Sequence, residues 1–485
     1  PLDQRRAYAS VHAHEMSHMW FGDLVTPVWW NDIWLNESFA SWMENKAAHA
    51  YWPEGQFDRE TLKGALGAMV NDSLASARQI REPVNNNDEI NSAFDDITYQ
   101  KGGGVLAMLE HYVGEKQFQA GVRLHLKRHA DSTATAEDFI ASVATGSDRP
   151  EVEAAFRTFI EQPGVPLVSA KLDCKDGETP RLDLRQARYA PLGSSIKPDA
   201  GEWTIPFCVA YISNGTRKST CALIDKKEQS LALEAGACPT QVNPNADGTG
   251  YYRFTLDDAG WQSLAAGATK LSPAEALVFA DSLDAAFRAG TVSAKTYVSG
   301  MTALVNHSAW DVVAAATGYL EEVARIIDPK DLGPVEQAFR AIATPRYARL
   351  AGASDSESQL LHKRLQRFLI VVAKDQAMRK PLARQAAKAV GLNEKPDPSA
   401  APASELETIF TVGVQDLGEP FFDLLLKQII ASEDPEFRNS AIGGLARVED
   451  QALARKLEVA VLAGEFKGTE MLRVLGRQMN RTETA

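Results

Sequence analysis

Along the first 165 residues apolar positions recur at helical spacing, and three helices follow from the pattern. The first covers Arg6–Trp20 and stops at Gly22. A second runs from an N-cap at Asn31 or Asp32 toward His49, and a third starts near Asp95 or Asp96 and passes through Tyr99 and Leu109 to Gly114. Between the first two, Val25-Thr26-Pro27-Val28-Trp29-Trp30 is β-branched and aromatic, which predicts an extended link. From Val165 the spacing shortens. Leu182–Leu184, Trp203–Phe207, Cys221–Ile224 and Tyr251–Phe254 have strand character, parted by the turn clusters Ser213-Asn214-Gly215 and Asn245-Ala246-Asp247-Gly248. A small β-sandwich over 165–256 is expected.

Beyond Asp257 helical spacing returns and persists. Ser272 and Pro273 make an N-cap followed by proline at the first helical position, opening a helix that stops before Gly290. Ala309–Ile327, Ser356–Lys374, Phe421–Ala431, Asp434–Arg447 and Gln451–Leu462 follow. Paired helices without a strict repeat predict an irregular HEAT-like α-solenoid over 257–485. The expected fold class is multidomain, mainly α with β, with helical residues 1–164 preceding the sandwich. A length of 485 residues agrees, since a single core does not grow to that size.

Charge and hydropathy narrow the function. With 64 acidic against 51 basic residues the net charge is −13, which disfavours nucleic acid or an anionic membrane as a partner. No apolar run approaches the roughly 20 residues that cross a bilayer. The chain opens at Pro1-Leu2-Asp3 without Met or targeting segment and stops at Asn480-Arg481-Thr482-Glu483-Thr484-Ala485, and it reads as a piece of a longer polypeptide. Six of the nine tryptophans fall between Trp20 and Trp52, where packing around a buried centre is expected rather than a substrate cage.

Candidate chemistry concentrates at His14-Glu15-Met16-Ser17-His18. Helical positions i and i+4 share a face, so both imidazoles can reach one metal ion, and Glu15 is displaced about 100° round the axis beside it. Imidazole and carboxylate suit zinc, which keeps a position for water and lowers that water's pKa to about 7. Glu15 is placed to take the proton as general base. Eighteen residues separate His18 from Glu37, the candidate third ligand, brought in from the second helix. His12, near the opposite helix face, is read as structural. Asp32 and Glu44 either orient ligands or make surface salt bridges.

The run His14-Glu15-Met16-Ser17-His18-Met19-Trp20-Phe21-Gly22-Asp23-Leu24-Val25-Thr26, followed by Trp29-Trp30-Asn31-Asp32-Ile33-Trp34-Leu35-Asn36-Glu37, closely resembles the aminopeptidase N family of zinc metallopeptidases. Tyr99-Gln100-Lys101-Gly102 is similar to that family's later motif. The resemblance implies one zinc ion per chain held by His14, His18 and Glu37, with Glu15 as base and Tyr99 donating to the oxyanion. It implies that 1–164 is the helical part of a thermolysin-like catalytic domain, and that peptides lose their N-terminal residues. Ser38 stands where the family usually has Gly, and Gln100 where many members have Glu. The family's segment that binds the substrate's free amino group lies upstream of the zinc motif, so this stretch alone is expected to cleave poorly. A thermolysin-like endopeptidase and a non-catalytic peptide-binding scaffold are the alternatives.

Cys174, Cys208, Cys221 and Cys238 all fall in the strand-rich part. A confined, even set predicts two disulfides, with three connectivities open, and a periplasmic or secreted location. Four reduced, buried cysteines in a cytoplasmic enzyme are the alternative.

Overall fold

The computed structural model describes residues 2–197 and 200–479. Pro1 and Asn480–Ala485, on which the two terminal readings rest, lie outside the described residues. The chain packs as two compact units, 1–304 and 305–485. It is mostly helical, with most of its β-structure in one stretch, 166–255. Among the described residues no helix is long and apolar enough to cross a membrane.

The first unit opens with helix α1 (Leu2–Ser17), strand β1 (Val25–Pro27), α2 (Trp34–Tyr51) and α3 (Glu60–Asp72). A π-helical turn, Ile97–Lys101, leads into α4 (Gly102–Val113). Then come α5 (Glu115–His129), β2 (Ser132–Ala134), α6 (Ala136–Ser147) and α7 (Val152–Ile160). The expected extended link is β1, which pairs in parallel with β2.

Two boundaries differ from the sequence reading. Helix α1 ends at Ser17 rather than Trp20, because the buried Phe21 turns into the core and Gly22, at φ +143°, redirects the chain. Asp32 does not cap α2. Its buried carboxylate accepts from Arg81 Nε at 2.7 Å and from the Ala136 N–H at 3.1 Å, so it serves the start of α6 instead. Asp95, by contrast, accepts from the Ile97 N–H at 2.9 Å and opens the π turn, near the predicted helix start.

Seven strands fill 166–255: β3 (Pro166–Asp173), β4 (Arg181–Arg188), β5 (Ile205–Ser213), β6 (Thr216–Ile224), β7 (Glu228–Ala232), β8 (Gln241–Asn243) and β9 (Arg253–Thr255). They form a four-stranded sheet ordered β7-β4-β3-β9 and a three-stranded sheet ordered β6-β5-β8. Ser213-Asn214-Gly215 makes the β5–β6 hairpin, with Asn214 and Gly215 left-handed at φ 50° and 75°, the geometry that matches strand twist. The sequence reading placed Tyr251 and Tyr252 in a strand. Both instead precede β9, buried, and they belong to one apolar core shared by the sheets and the first helices. Cys174 bonds Cys238 and Cys208 bonds Cys221, which selects one of the three connectivities.

After β9 come α8 (Asp258–Ala266), α9 (Pro273–Arg288) and α10 (Ala294–Val305). A capping box between Ser272 and Glu275 starts α9, with Pro273 in its first turn. The second unit is helical, from α11 (Trp310–Arg325) to a last helix at Gly468–Gln478, with its own core around Phe410, Phe421, Ile442 and Leu457.

A buried ion pair fixes the π turn. Lys101 Nζ lies 2.9 Å from Asp72 Oδ2, and neither side chain has any exposed surface. The Gly164 N–H at 2.8 Å and the Tyr251 hydroxyl at 3.2 Å also donate to Asp72. The carboxylate thus joins α3, the π turn, the entry to β3 and the approach to β9. Removing one partner of such a pair strands a charge in the core. Lys101→Met is expected to cost about 3–5 kcal/mol, read as a lowered urea midpoint of the first unit's transition.

Candidate metal centre and active site

His14 and His18 reach the same point from the last turn of α1 and the turn that follows it, and Glu37 approaches from the first turn of α2. His14 Nε2 is 3.4 Å and His18 Nε2 3.6 Å from the same oxygen, Glu37 Oε2. The three donor atoms lie within 4.8 Å of one another. Each imidazole is held from behind. His14 Nδ1 is 2.7 Å from Glu44 Oε2, and His18 Nδ1 is 3.0 Å from the Phe21 carbonyl oxygen. Both rear partners accept, so in the neutral ring each Nδ1 carries the proton and each Nε2 can offer its lone pair inward to a cation. Glu44 is itself fixed by the Ser10 hydroxyl at 3.1 Å. It is an orienting group, whereas Asp32 is spent on Arg81 and α6.

Electrostatics show how unbalanced this cluster is by itself. For His14, burial opposes the charged form, but hydrogen bonds with Glu37 and Glu44 outweigh it and raise the pKa to about 9. His18 is raised too, chiefly by its hydrogen bond with Glu37. Burial works to raise Glu37, yet the hydrogen bonds from His14, His18 and Tyr99 bring it down to about 2. A protonated histidine beside an ionised carboxylate is what these donors adopt without a cation.

Tyr99 completes the group from the π turn. Its ring stacks 6.0 Å from that of His14, and its hydroxyl lies close enough to Glu37 for the two groups to interact. Burial, followed by the Glu37 charge, pushes its pKa up, so the phenol stays a donor. Glu15, on the adjoining exposed face of α1, is close enough for its charge to act on Tyr99.

Ser38 stands where the resemblance leads one to expect Gly. In the structure it is fully buried and its hydroxyl donates to the Thr98 carbonyl at 2.6 Å, joining the α2 turn that carries Glu37 to the π turn that carries Tyr99. A Cβ on Gly102 would come within 1.9 Å of Ser38 Oγ, so that glycine is needed for the approach. Gln100 packs over Gly64 of α3. His12 is an exposed residue stacked on Tyr8, not a buried structural one. The tryptophans divide: Trp34 and Trp42 are buried in the core, but Trp20 and Trp29 are 47% and 44% exposed.

Residues 1–159 match the peptidase family M1 domain, and residues 242–484 match the ERAP1-like C-terminal domain. The chain is 34% identical over 291 residues to Aminopeptidase M1 of Arabidopsis thaliana, covering 57% of this chain and 31% of that protein. It is 27% identical over 482 residues to Aminopeptidase M1-C of Oryza sativa subsp. japonica, covering 96% and 53%. Probable aminopeptidase 2 of Sulfurisphaera tokodaii is 34% identical over 258 residues, covering 53% and 31%. The chain therefore spans about half the length, or less, of the curated relatives it matches.

The pKa shifts set the pH response of the metal-free chain. The lowered Glu37 stabilises the fold above its unfolded value of 4.5 and loses that contribution as pH falls toward 2. The raised His14 stabilises it below 6.5 and loses that contribution as pH rises through about 9. Chelator-treated protein should accordingly unfold at a higher temperature between 4.5 and 6.5 than above 9. Separately, Glu44→Ala frees the His14 ring and should weaken metal affinity about 10- to 100-fold, measured by chelator competition.

Proposed function

This chain belongs to peptidase family M1, and from that premise we propose that it forms the metal-binding and C-terminal part of a zinc aminopeptidase. The observation that carries the reading is the convergence of His14 Nε2, His18 Nε2 and Glu37 Oε2, with both Nδ1 atoms engaged behind. The donor set fits zinc: two neutral imidazoles and one carboxylate match a three-ligand site with one open position. A zinc ion held there supplies Lewis acidity, polarising a peptide carbonyl and making water a better nucleophile near neutral pH.

The remaining work falls to this chain's side chains. Glu15 is exposed beside the ligands, free to take a proton from the attacking water and pass it to the departing amine. Tyr99, kept protonated, donates to the carbonyl oxygen as negative charge develops on it. Glu44 and the Phe21 carbonyl hold the imidazoles so that neither must reorient during turnover. Peptides with a free N-terminus are the proposed substrates.

Two further assignments belong to the same proposal. The division is 1–164 as the C-terminal portion of a thermolysin-like catalytic domain, 165–256 as a β-sandwich and 257–485 as a HEAT-like helical domain. The two sheets and the helices after β9 support it. Two disulfides support a periplasmic or secreted location.

Glu15→Gln is expected to keep stoichiometric zinc while losing nearly all turnover of an amino-acid amide. Tyr99→Phe should lower kcat about a hundredfold or more with little change in KM, as loss of one oxyanion donor does. Both should be assayed on this chain and on a form extended to the length of its relatives. Equal cleavage of free and N-acetylated peptides would show an endopeptidase instead.

A further inference from the structure

We propose that Cys208, Cys221 and His111 make a second cation site, gated by redox state. While the disulfide is intact it holds nothing. Once reduced, its two thiolates and the imidazole bind a thiophilic ion such as Zn2+ or Cd2+.

Three positions in the fold meet here. Cys208 and Cys221 sit directly opposite each other on β5 and β6. His111 lies in the last turn of α4, which packs against β5. One ring nitrogen of His111 and both sulfurs fall within 4.8 Å of one another. This cluster shares no residue with the centre at His14, His18 and Glu37, and its chemistry differs, since two of its three donors are sulfur. The His111 side chain is 32% exposed, with Nε2 3.8 Å from Asp247 Oδ2, too far for a hydrogen bond. Asp247 is itself held by Arg217 at 2.9 Å, which leaves it or a water for a fourth position.

Oxidation state decides whether these donors can act. A disulfide sulfur carries no charge and is a poor ligand, whereas a thiolate is among the strongest for soft and borderline cations. On a tetrahedral ion with Zn–S near 2.3 Å, two thiolates stand about 3.7 Å apart, a separation reached by rotating the side chains about Cα–Cβ. The strands need not move. The β5–β6 ladder runs from Ile205↔Ile224 to Ser213↔Thr216, and Ile205, Phe207 and Val209 are fully buried, so register survives without the crosslink.

The gate opens by ordinary thiol–disulfide exchange. Cys221 is exposed, so one thiolate of an external dithiol can attack its sulfur, breaking the S–S bond and releasing Cys208 as thiolate. The second thiol of the reductant resolves the mixed disulfide and frees Cys221. Two electrons come from the dithiol, which leaves as a disulfide. The cation then takes both sulfurs as thiolates, and their protons go to solvent.

The test is a cadmium titration of the chain before and after reduction with a phosphine, followed by the ultraviolet sulfur-to-cadmium charge-transfer band. A His2Glu centre has no sulfur and is silent in this band, so the result does not depend on the peptidase reading. The reduced chain should develop the band to saturation at one equivalent, and the oxidised chain should not. Cys208→Ser with Cys221→Ser should abolish it. His111→Ala, which leaves the hairpin intact, should weaken binding by about tenfold or more, at least the loss caused by removing an outer-shell partner. No band in the reduced chain would overturn the proposal. A band that survives the double serine change, and so arises from Cys174 and Cys238, or unchanged affinity in His111→Ala, would overturn it equally.

Discussion

Two imidazole nitrogens, 3.4 and 3.6 Å from one carboxylate oxygen, would repel it with their lone pairs unless a positive charge lay among them. Without a metal the charge is a proton, which is why His14 is raised and Glu37 lowered by partners that also crowd them. With a divalent cation the same geometry becomes a coordination shell. The rest of the first unit can be understood as the apparatus that keeps these three atoms convergent.

That apparatus works at two depths. Close in, Glu44 and the Phe21 carbonyl fix the ring orientations, and Gly22 gives the chain the reversal that brings the Phe21 carbonyl back under His18. Further out, Ser38 ties the α2 turn to the π turn, Gly102 allows the approach, and the buried Lys101–Asp72 pair pins the π turn to α3 and the entry to the sheets. Tyr99 therefore stands on a segment braced from both sides. A π turn is a costly local geometry, and here it places a phenol against Glu37 where an α-helical register would shift it.

How much of this is legible in the sequence depends on the range of each interaction. The i, i+4 spacing of His14 and His18 is local, and the motif that follows it anticipates that Glu37 meets them; the catalytic roles are what remain proposed. Strand character and the Asn214-Gly215 turn are likewise local signals, as is the capping box at Ser272. Ser38 is different. Its value lies in a hydrogen bond to a carbonyl 60 residues away, in the π turn, and no pattern near Ser38 reports it. Asp32 looked like a cap for its own helix because its partners, Arg81 and the Ala136 N–H, are equally remote. The cysteines were confined and even in number, but pairing follows from strand register, which composition does not carry.

The proposed zinc centre at His14, His18 and Glu37 has nitrogen and oxygen ligands only. X-ray absorption fine structure of the oxidised chain loaded with one equivalent of zinc tests it directly. The expected result is a first shell of nitrogen and oxygen alone at about 2.0–2.2 Å, with the multiple scattering of two imidazoles. A sulfur shell near 2.3 Å, or a spectrum with fewer than two imidazoles, would contradict it.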